Sequence, residues 1–225
     1  MLLLHGALAS KNQFDKMLPM LRNEFDANAI NFSGHGGEPF NTKGYTFPVF
    51  AEDILKYADA KKIDKLNIFG YSMGGYAALF FAKTHPERVN KIFTLNVKFK
   101  WDMDSTKKEM ATLNAENMML KVPSFANNLM LIHGLDFWKN VLQNTSSMME
   151  NLMKDQILTD PDLEKINIPV LLGIGDRDHT SSIAETLDVY KKLKDPQLLV
   201  LPNTPHPFEK VNQDYLIPFI SHFFK

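Results

Sequence analysis

The stretch Ile68–Gly75, with the sequence Ile-Phe-Gly-Tyr-Ser-Met-Gly-Gly, stands between a strand pattern and a helix pattern. Residues 65–69 form a short, mostly apolar stretch that predicts a strand. Residues 76–83 are mostly good or tolerable helix formers. The Gly-x-Ser-x-Gly pattern between them is typical of a strand–turn–helix that presents a serine on a sharp turn. Ser72 would lie at a helix N-terminus, where unpaired N–H groups stabilise developing negative charge. A glycine–serine turn can match this pattern by chance, so the flanking chain must decide.

Strand and helix patterns alternate on both sides of this stretch. Apolar strand patterns occur at residues 1–4, 25–32, 66–69, 89–95, 168–174 and 197–201. Helical patterns occur at residues 11–22, 45–61, 76–83, 181–193 and from 208 or 209 to the end. Pro19 predicts a kink or an early end in the first of these helices. The alternation predicts an α/β fold whose mostly parallel sheet is flanked by helices.

The alternation is interrupted in the middle of the chain. Residues 97–165 contain no convincing strand and show helical stretches at 105–120, 127–133 and 137–155. We therefore expect a core formed by residues 1–96 and 166–225, with residues 97–165 inserted as a helical cap. The cap should cover the carboxyl edge of the sheet, where open α/β sheets bind their ligands.

Composition limits the classes of partner that the chain can have. A length of 225 residues fits one domain with an insertion, and a net charge of −1 argues against bulk attraction to nucleic acid. The absence of cysteine excludes disulfides and thiolate metal sites, and it suits a reducing compartment, so we expect a cytoplasmic protein. No apolar run has the length that a membrane span needs.

A serine nucleophile requires a histidine and an orienting carboxylate, and two downstream loops offer them. Gly175–Asp178 follows one predicted strand and contains two aspartates, Asp176 and Asp178. Pro202–His206 follows the next strand and ends in a histidine. The resulting order of serine, acid and histidine is the one expected for hydrolases with this type of serine turn. The sequence therefore predicts a Ser72–Asp–His206 triad.

The other six histidines lack an equivalent position, and they are His5, His35, His85, His133, His179 and His222. His179 adjoins the acidic loop but begins a predicted helix, so we expect it on the surface. His85 stands in a helix-ending His-Pro pair, His133 lies in the insertion and His222 lies in the last helix. None of these three has the context of a site.

The chain resembles the α/β-hydrolase superfamily, and particularly its small capped esterase-like and lipase-like members. The resemblance is carried by Gly70–Gly75, by His5-Gly6 after an apolar strand, by Gly34–Gly36, by Gly175–Asp178 and by His206. It implies that Asp178, at the fourth position of Gly-x-x-Asp, is the triad acid and that Asp176 caps a turn. It also implies an oxyanion hole formed by the backbone N–H groups of Ala7 and Met73. His5 and His35 then have structural roles.

One feature departs from the family pattern. The family's sheet usually begins with two strands before the one that ends in His-Gly, whereas Met1 starts that strand directly. We therefore expect a sheet that lacks the first two strands, either natively or because residues are missing from this sequence. A shortened sheet would expose an edge, across which a homodimer could form.

The predicted cap suggests the character of the substrate. Eight of the twelve methionines lie there: Met103, Met110, Met118, Met119, Met130, Met148, Met149 and Met153. Together with Trp101, Phe125, Phe137 and Trp138 they form either an adaptable pocket wall or only the underside that a helical cap needs. Either arrangement favours an apolar acyl or ester substrate. Five lysines could meet a carboxylate or only solvate a face: Lys98, Lys100, Lys107, Lys108 and Lys121.

The leading hypothesis is a serine hydrolase that cleaves small to medium carboxylic esters through an acyl-enzyme. C–C-bond hydrolysis of a ring-cleavage dione and a ligand receptor without turnover are the alternatives. An aspartate-nucleophile reaction is disfavoured because the turn carries Ser72. We expect no metal and no cofactor, since the histidines are scattered and residues 34–37 do not match a dinucleotide fingerprint.

Overall fold

The computed structural model describes residues 1–225 and contains one six-stranded sheet. The strands are β1 Leu2–Leu4, β2 Asn28–Ile30, β3 Leu66–Tyr71, β4 Val89–Leu95, β5 Val170–Gly175 and β6 Pro196–Leu201. Their order across the sheet is β2-β1-β3-β4-β5-β6, and every neighbouring pair is parallel. The carboxyl ends of all six strands therefore lie along one edge of the sheet.

Ten α-helices complete the fold. They are α1 Leu18–Leu21, α2 Phe47–Ala60, α3 Met73–Thr84, α4 Met103–Thr112, α5 Ala115–Lys121, α6 Pro123–His133, α7 Trp138–Lys154, α8 Asp160–Leu163, α9 Ile183–Tyr190 and α10 Gln213–Phe224. Short 3-10 turns occupy Lys11–Phe14, Pro86–Arg88 and Phe208–Lys210. None of the helices combines the length and the apolar character needed to cross a bilayer.

Both faces of the sheet are covered, because successive side chains of a strand point to opposite sides. Leu2 and Leu4 of β1 belong to a buried cluster that also contains residues of α2, α3 and α9. Leu3, between them, belongs to a second cluster with residues of α1 and α10. Strands buried on both faces explain the continuous apolar runs in the sequence. The predicted α/β fold, a parallel sheet flanked by helices, is confirmed.

Several predicted elements have different bounds in the structure. The strand expected at residues 25–32 is limited to Asn28–Ile30. The helix expected at 11–22 is a 3-10 turn followed by α1, and Pro19 stands in the first turn of α1, where no N–H donor is needed. The helix expected at 105–120 is divided, because the Asn114 side chain accepts a hydrogen bond from the Asn117 N–H and caps α5.

The segment between β4 and β5 contains no strand and carries the helices α4–α8. Helix α7 packs into the main core through Val141, Met148 and Leu152. A smaller cluster joins α5, α6 and α7 around the buried Trp138. The division of the chain into a core of residues 1–96 and 166–225 and a cap of residues 97–165 stays a prediction.

Candidate active site

Ser72 occupies a strained turn between β3 and α3. Its backbone angles are φ 50° and ψ −117°, which side-chain-bearing residues rarely adopt. This turn brings the start of α3 very close to the end of β1. A Cβ atom on Gly74 would lie 2.2 Å from the carbonyl oxygen of Leu4, so only glycine fits there. The close approach places Ser72 beside the loop that follows β1.

The three residues of the predicted triad are brought together at the carboxyl edge of the sheet. The Oγ atom of Ser72 lies 3.3 Å from Nε2 of His206. The Nδ1 atom of His206 lies 2.7 Å from Oδ2 of Asp178. Ser72 follows β3, Asp178 lies in the loop after β5 and His206 in the loop after β6. The contacts form a continuous chain from hydroxyl to imidazole to carboxylate, which is the arrangement that activates a serine.

Asp178 is held in a single orientation by hydrogen bonds to both of its carboxylate oxygens. Oδ1 accepts from the N–H groups of Thr180 and Ser181, at 2.8 and 2.9 Å, and Oδ2 also accepts from the Ser181 hydroxyl. Burial of the side chain opposes ionisation, but the hydrogen bonds from His206 and the 180–181 backbone outweigh it. The pKa of Asp178 is therefore below its ordinary value, and the carboxylate stays charged opposite the imidazole.

Asp176 does not contact the imidazole. Its Oδ1 accepts a hydrogen bond from the Thr204 N–H at 3.0 Å, and its pKa is lowered by the N–H groups of Asn203 and Thr204. Asp176 therefore braces the loop that carries His206 and does not simply cap its own turn. His179 is exposed on the surface, where we expected it.

Two residues that hold His206 were not identified from the sequence. The Asn96 side chain, fully buried after β4, donates to the carbonyls of Pro205 and His206 at 3.3 Å and accepts from the Gly175 N–H at 2.9 Å. The Tyr71 hydroxyl donates to the His206 carbonyl at 2.6 Å. A buried asparagine directly after an apolar strand is the available sequence signal, although nothing in it specifies the partners.

The two N–H groups predicted to form an oxyanion hole lie on either side of Ser72's position, that of Ala7 in the loop after β1 and that of Met73 at the start of α3. A Cβ atom on Gly6 would lie 3.4 Å from Cβ of Ser72, so this loop and the serine are adjacent. The Ala7 N–H donates no hydrogen bond within the protein, and Met73, as the first residue of α3, has no intrahelical acceptor for its N–H. Two backbone donors are therefore free beside the Ser72 hydroxyl. Gln13 accepts from the Gly6 N–H at 3.0 Å and fixes the loop.

Three histidines form a buried cluster behind this loop. The ring centroids of His5 and His35 are 5.0 Å apart, and those of His35 and His133 are 5.9 Å apart. His5 accepts from the Phe32 N–H through Nε2, so the neutral ring donates through Nδ1 to the Gly6 carbonyl. Burial lowers the pKa of all three, that of His5 to about 4. All three rings are therefore neutral, and their hydrogen bonds go to the backbone.

His133 connects the helical segment to the loop after β1, a role that its sequence position did not reveal. Its Nδ1 accepts from the Gly36 N–H at 3.0 Å, so Nε2 carries the proton and donates to the Leu8 carbonyl at 3.0 Å. Leu8 has a positive φ of 62°, which is unusual for a leucine. His133 thus secures the residue next to Ala7 from the end of α6.

A cavity of about 310 Å³ opens above Ser72 and His206. Its wall is mostly apolar and combines residues of the core with residues of α4, α6 and α7. Of the eight methionines in residues 97–165, only Met148 and Met149 line the cavity. Met103 and Met119 are exposed, and Met118 packs in the small cluster around Trp138. Most of these methionines therefore do not form the pocket wall.

The comparisons with known proteins agree with this architecture. A family model described as the alpha/beta hydrolase fold matches residues 1–131. This chain belongs to the α/β-hydrolase family.

Relatives with curated names include hydrolases and esterases. A serine hydrolase-like protein of Danio rerio is 33% identical over 97 residues, which are 42% of this chain and 30% of that protein. The chain thus spans about a third of the length of that relative. A pimeloyl-[acyl-carrier protein] methyl ester esterase of Neisseria meningitidis serogroup B is 25% identical over 98% of this chain and 86% of its own. Among solved structures, a 2-hydroxy-6-oxo-6-phenylhexa-2,4-dienoate hydrolase from a Rhodococcus strain has a TM-score of 0.82 at 20% identity, covering 99% of this chain and 89% of its own.

Proposed function

We propose that this α/β hydrolase is a serine hydrolase that cleaves small to medium carboxylic esters through an acyl-enzyme. The observation that carries the proposal is the chain of contacts from Ser72 through His206 to Asp178, at 3.3 and 2.7 Å. Ser72 is the nucleophile, His206 the general base and Asp178 the group that orients the imidazole. The N–H groups of Ala7 and Met73 form the oxyanion hole.

In the acylation half, the Ser72 oxygen attacks the ester carbonyl while Nε2 of His206 accepts the hydroxyl proton. The carbonyl oxygen becomes an oxyanion, and the two free N–H groups beside Ser72 stabilise it. Asp178 stabilises the imidazolium through the 2.7 Å contact with Nδ1. The tetrahedral intermediate then expels the alcohol, which leaves with the proton from His206.

In the deacylation half, a water molecule attacks the acyl-enzyme carbonyl and gives its proton to His206. The same N–H groups bind the second oxyanion. Collapse of this intermediate releases the carboxylic acid and returns the proton to Ser72. The reaction consumes one ester and one water and needs no further reactant.

The cavity supports the size and polarity of the substrate. A volume of about 310 Å³ with a mostly apolar wall suits an acyl chain or a small aryl group. The Neisseria relative, matched over almost the whole chain, is named for a methyl ester. A small alcohol leaving group is consistent with that similarity.

C–C-bond hydrolysis is the second candidate, since the sequence alone left it open and one relative matched over 90% of this chain is named for a reaction other than ester cleavage. That relative, at 27% identity, is a putative 2-succinyl-6-hydroxy-2,4-cyclohexadiene-1-carboxylate synthase of Bacillus subtilis. The same nucleophile and base would serve such a reaction. The alternative of a different class is a ligand receptor without turnover.

A fluorophosphonate probe and a panel of methyl and p-nitrophenyl esters test the proposal. We expect rapid labelling at Ser72 and turnover that falls by about three to six orders of magnitude in Ser72→Ala. Labelling without turnover on any ester would favour the receptor. Ester turnover that survives in Ser72→Ala would contradict the proposed mechanism.

A further inference from the structure

The cavity contains one buried cation, Lys98, that the proposed chemistry does not use. Lys98 lies in the segment that leads from β4 to α4, and only 8% of the residue is exposed. It lines the same cavity as Ser72 and His206. Lysine is rarely buried to this extent unless the ammonium has a partner.

The partners of this ammonium within the protein are incomplete. Of its three N–H donors, one reaches the Thr180 carbonyl at 3.2 Å. The ammonium also lies over the indole of Trp101, 5.5 Å from the ring centroid. No carboxylate is within ion-pair distance of it. The Lys98 charge is thus oriented by a carbonyl and an aromatic face, but it is not neutralised.

The nearby carboxylates do not pair with the Lys98 ammonium. Glu185 is buried behind the segment, where it accepts from the Phe99 N–H at 2.9 Å. Burial raises the pKa of Glu185, and the Lys98 charge only partly opposes that rise. The acidic residues of the cavity wall itself are Glu109, which is half-buried, and Glu209, which is exposed to solvent. Lys98 is the one lysine or arginine in the wall.

From these contacts we infer that the cavity binds esters that carry a free carboxylate, with Lys98 as the recognition site for that group. The inference rests on the proposed esterase function and specifies its substrate class. A carboxylate would complete the hydrogen bonding of the ammonium inside a mostly apolar cavity, where a charge-assisted hydrogen bond is strong. The lysine contributes to substrate binding and takes no part in the bond-breaking steps.

Matched esters measure this recognition directly. The probes are the monomethyl esters of succinic, glutaric and adipic acid, each compared with the methyl ester in which an amide replaces the free acid. The two members of a pair differ in charge but have nearly the same size. The readout is the ratio of kcat/KM for acid over amide, in which a general loss of activity cancels.

Three variants test whether the preference for the acid over the amide depends on Lys98. Lys98→Met keeps an unbranched apolar stem without the charge, and we expect it to lower the ratio by about 10- to 100-fold, mainly through KM. Lys98→Arg keeps the charge and should retain a preference for the acid. Lys100→Met is the matched control, because Lys100 is exposed and paired with Asp188 at 2.6 Å, and it should leave the ratio unchanged.

The outcomes separate the inference from the proposed function. Turnover of neutral esters without a preference for the acid, or a preference that survives Lys98→Met, would overturn the inference and leave the esterase intact. If no ester is turned over and Ser72 is not labelled, the proposed function fails. Calorimetry with succinate, glutarate and adipate then tests the site alone. Binding that weakens in Lys98→Met supports it, and equal or absent binding in both proteins refutes it.

Discussion

Two aspartates only two positions apart have different hydrogen-bond partners, and only one of them contacts His206. Asp178 accepts from the imidazole, whereas Asp176 accepts from the Thr204 backbone. We expect Asp178→Asn to lower kcat by about four orders of magnitude, because the amide favours the wrong imidazole tautomer. Asp176→Asn keeps an acceptor oxygen for the Thr204 N–H and should retain most of the activity. Steady-state kinetics on one ester would measure both.

Equal losses in the two variants would contradict this assignment. Fluorophosphonate labelling provides a control, since it reports the nucleophile separately from ester binding. A Ser72 that labels slowly in Asp178→Asn and normally in Asp176→Asn would locate the defect at the imidazole.

Among single residues, the sequence predicted the three side chains that the structure brings into contact. Ser72 and His206 followed from a pattern and an order, and Asp178 from a family resemblance. Asn96 and Tyr71, which hold the His206 loop, could not be predicted. Their hydrogen bonds span 110 and 135 residues, and no local sequence pattern identifies partners so far along the chain. Lys98 was one of five candidate lysines, and only its burial in the cavity distinguishes it.

At the scale of the elements, α6 is joined to the loop after β1 by the His133 side chain. His133→Phe keeps a ring of similar size but leaves the Gly36 N–H and the Leu8 carbonyl without their partner. We expect the free energy of unfolding to fall by about 1–3 kcal/mol. We also expect kcat to fall more than KM changes, since Leu8 adjoins the Ala7 donor. Urea unfolding and ester kinetics are the measurements.

The matched control lies on the same helix. Leu131 is 85% exposed, so Leu131→Gln should change neither unfolding nor kcat. If His133→Phe lowers stability while kcat stays the same, His133 has a packing role and does not position the loop after β1.

Element types were predictable where periodicity is strong, and bounds were not. The Val89–Leu95 strand is confirmed to the residue. The expected strand at 25–32 is mostly loop, because only three residues reach the register of β1. The division of α4 from α5 depends on the Asn114 cap, which a pattern of apolar spacing does not detect.

For the whole molecule, the buried histidine cluster predicts a loss of stability in mild acid. Folding lowers the pKa of His5 from 6.5 to about 4, so between these values the unfolded chain binds more protons than the folded one. Stability that is fully present above pH 6.5 is therefore lost as the pH falls toward 4, by about 3 kcal/mol for His5 alone. The lowered pKa values of His35 and His133 act in the same direction.

Urea unfolding midpoints measured across this pH range would test the prediction. The readout is the slope of the midpoint against pH. His35→Asn keeps a donor for the Ser33 carbonyl but removes one titrating ring, so its slope should be smaller. His222→Gln changes an exposed histidine on α10 and should keep the slope of the parent protein. A slope that is identical in His35→Asn would show that other groups cause the acid sensitivity.

The order of the strands also determines when Ser72 and His206 can meet during folding. Every pairing in the sheet is parallel, so no local hairpin can start it, and Ser72 and His206 are separated by 134 residues. His206, the proposed base, reaches Ser72 only after β6 has joined β5. During synthesis from the N-terminus, the strand and helix around Ser72 emerge long before that. Until β6 has left the ribosome, the nascent chain therefore carries Ser72 without the imidazole that the proposed mechanism requires.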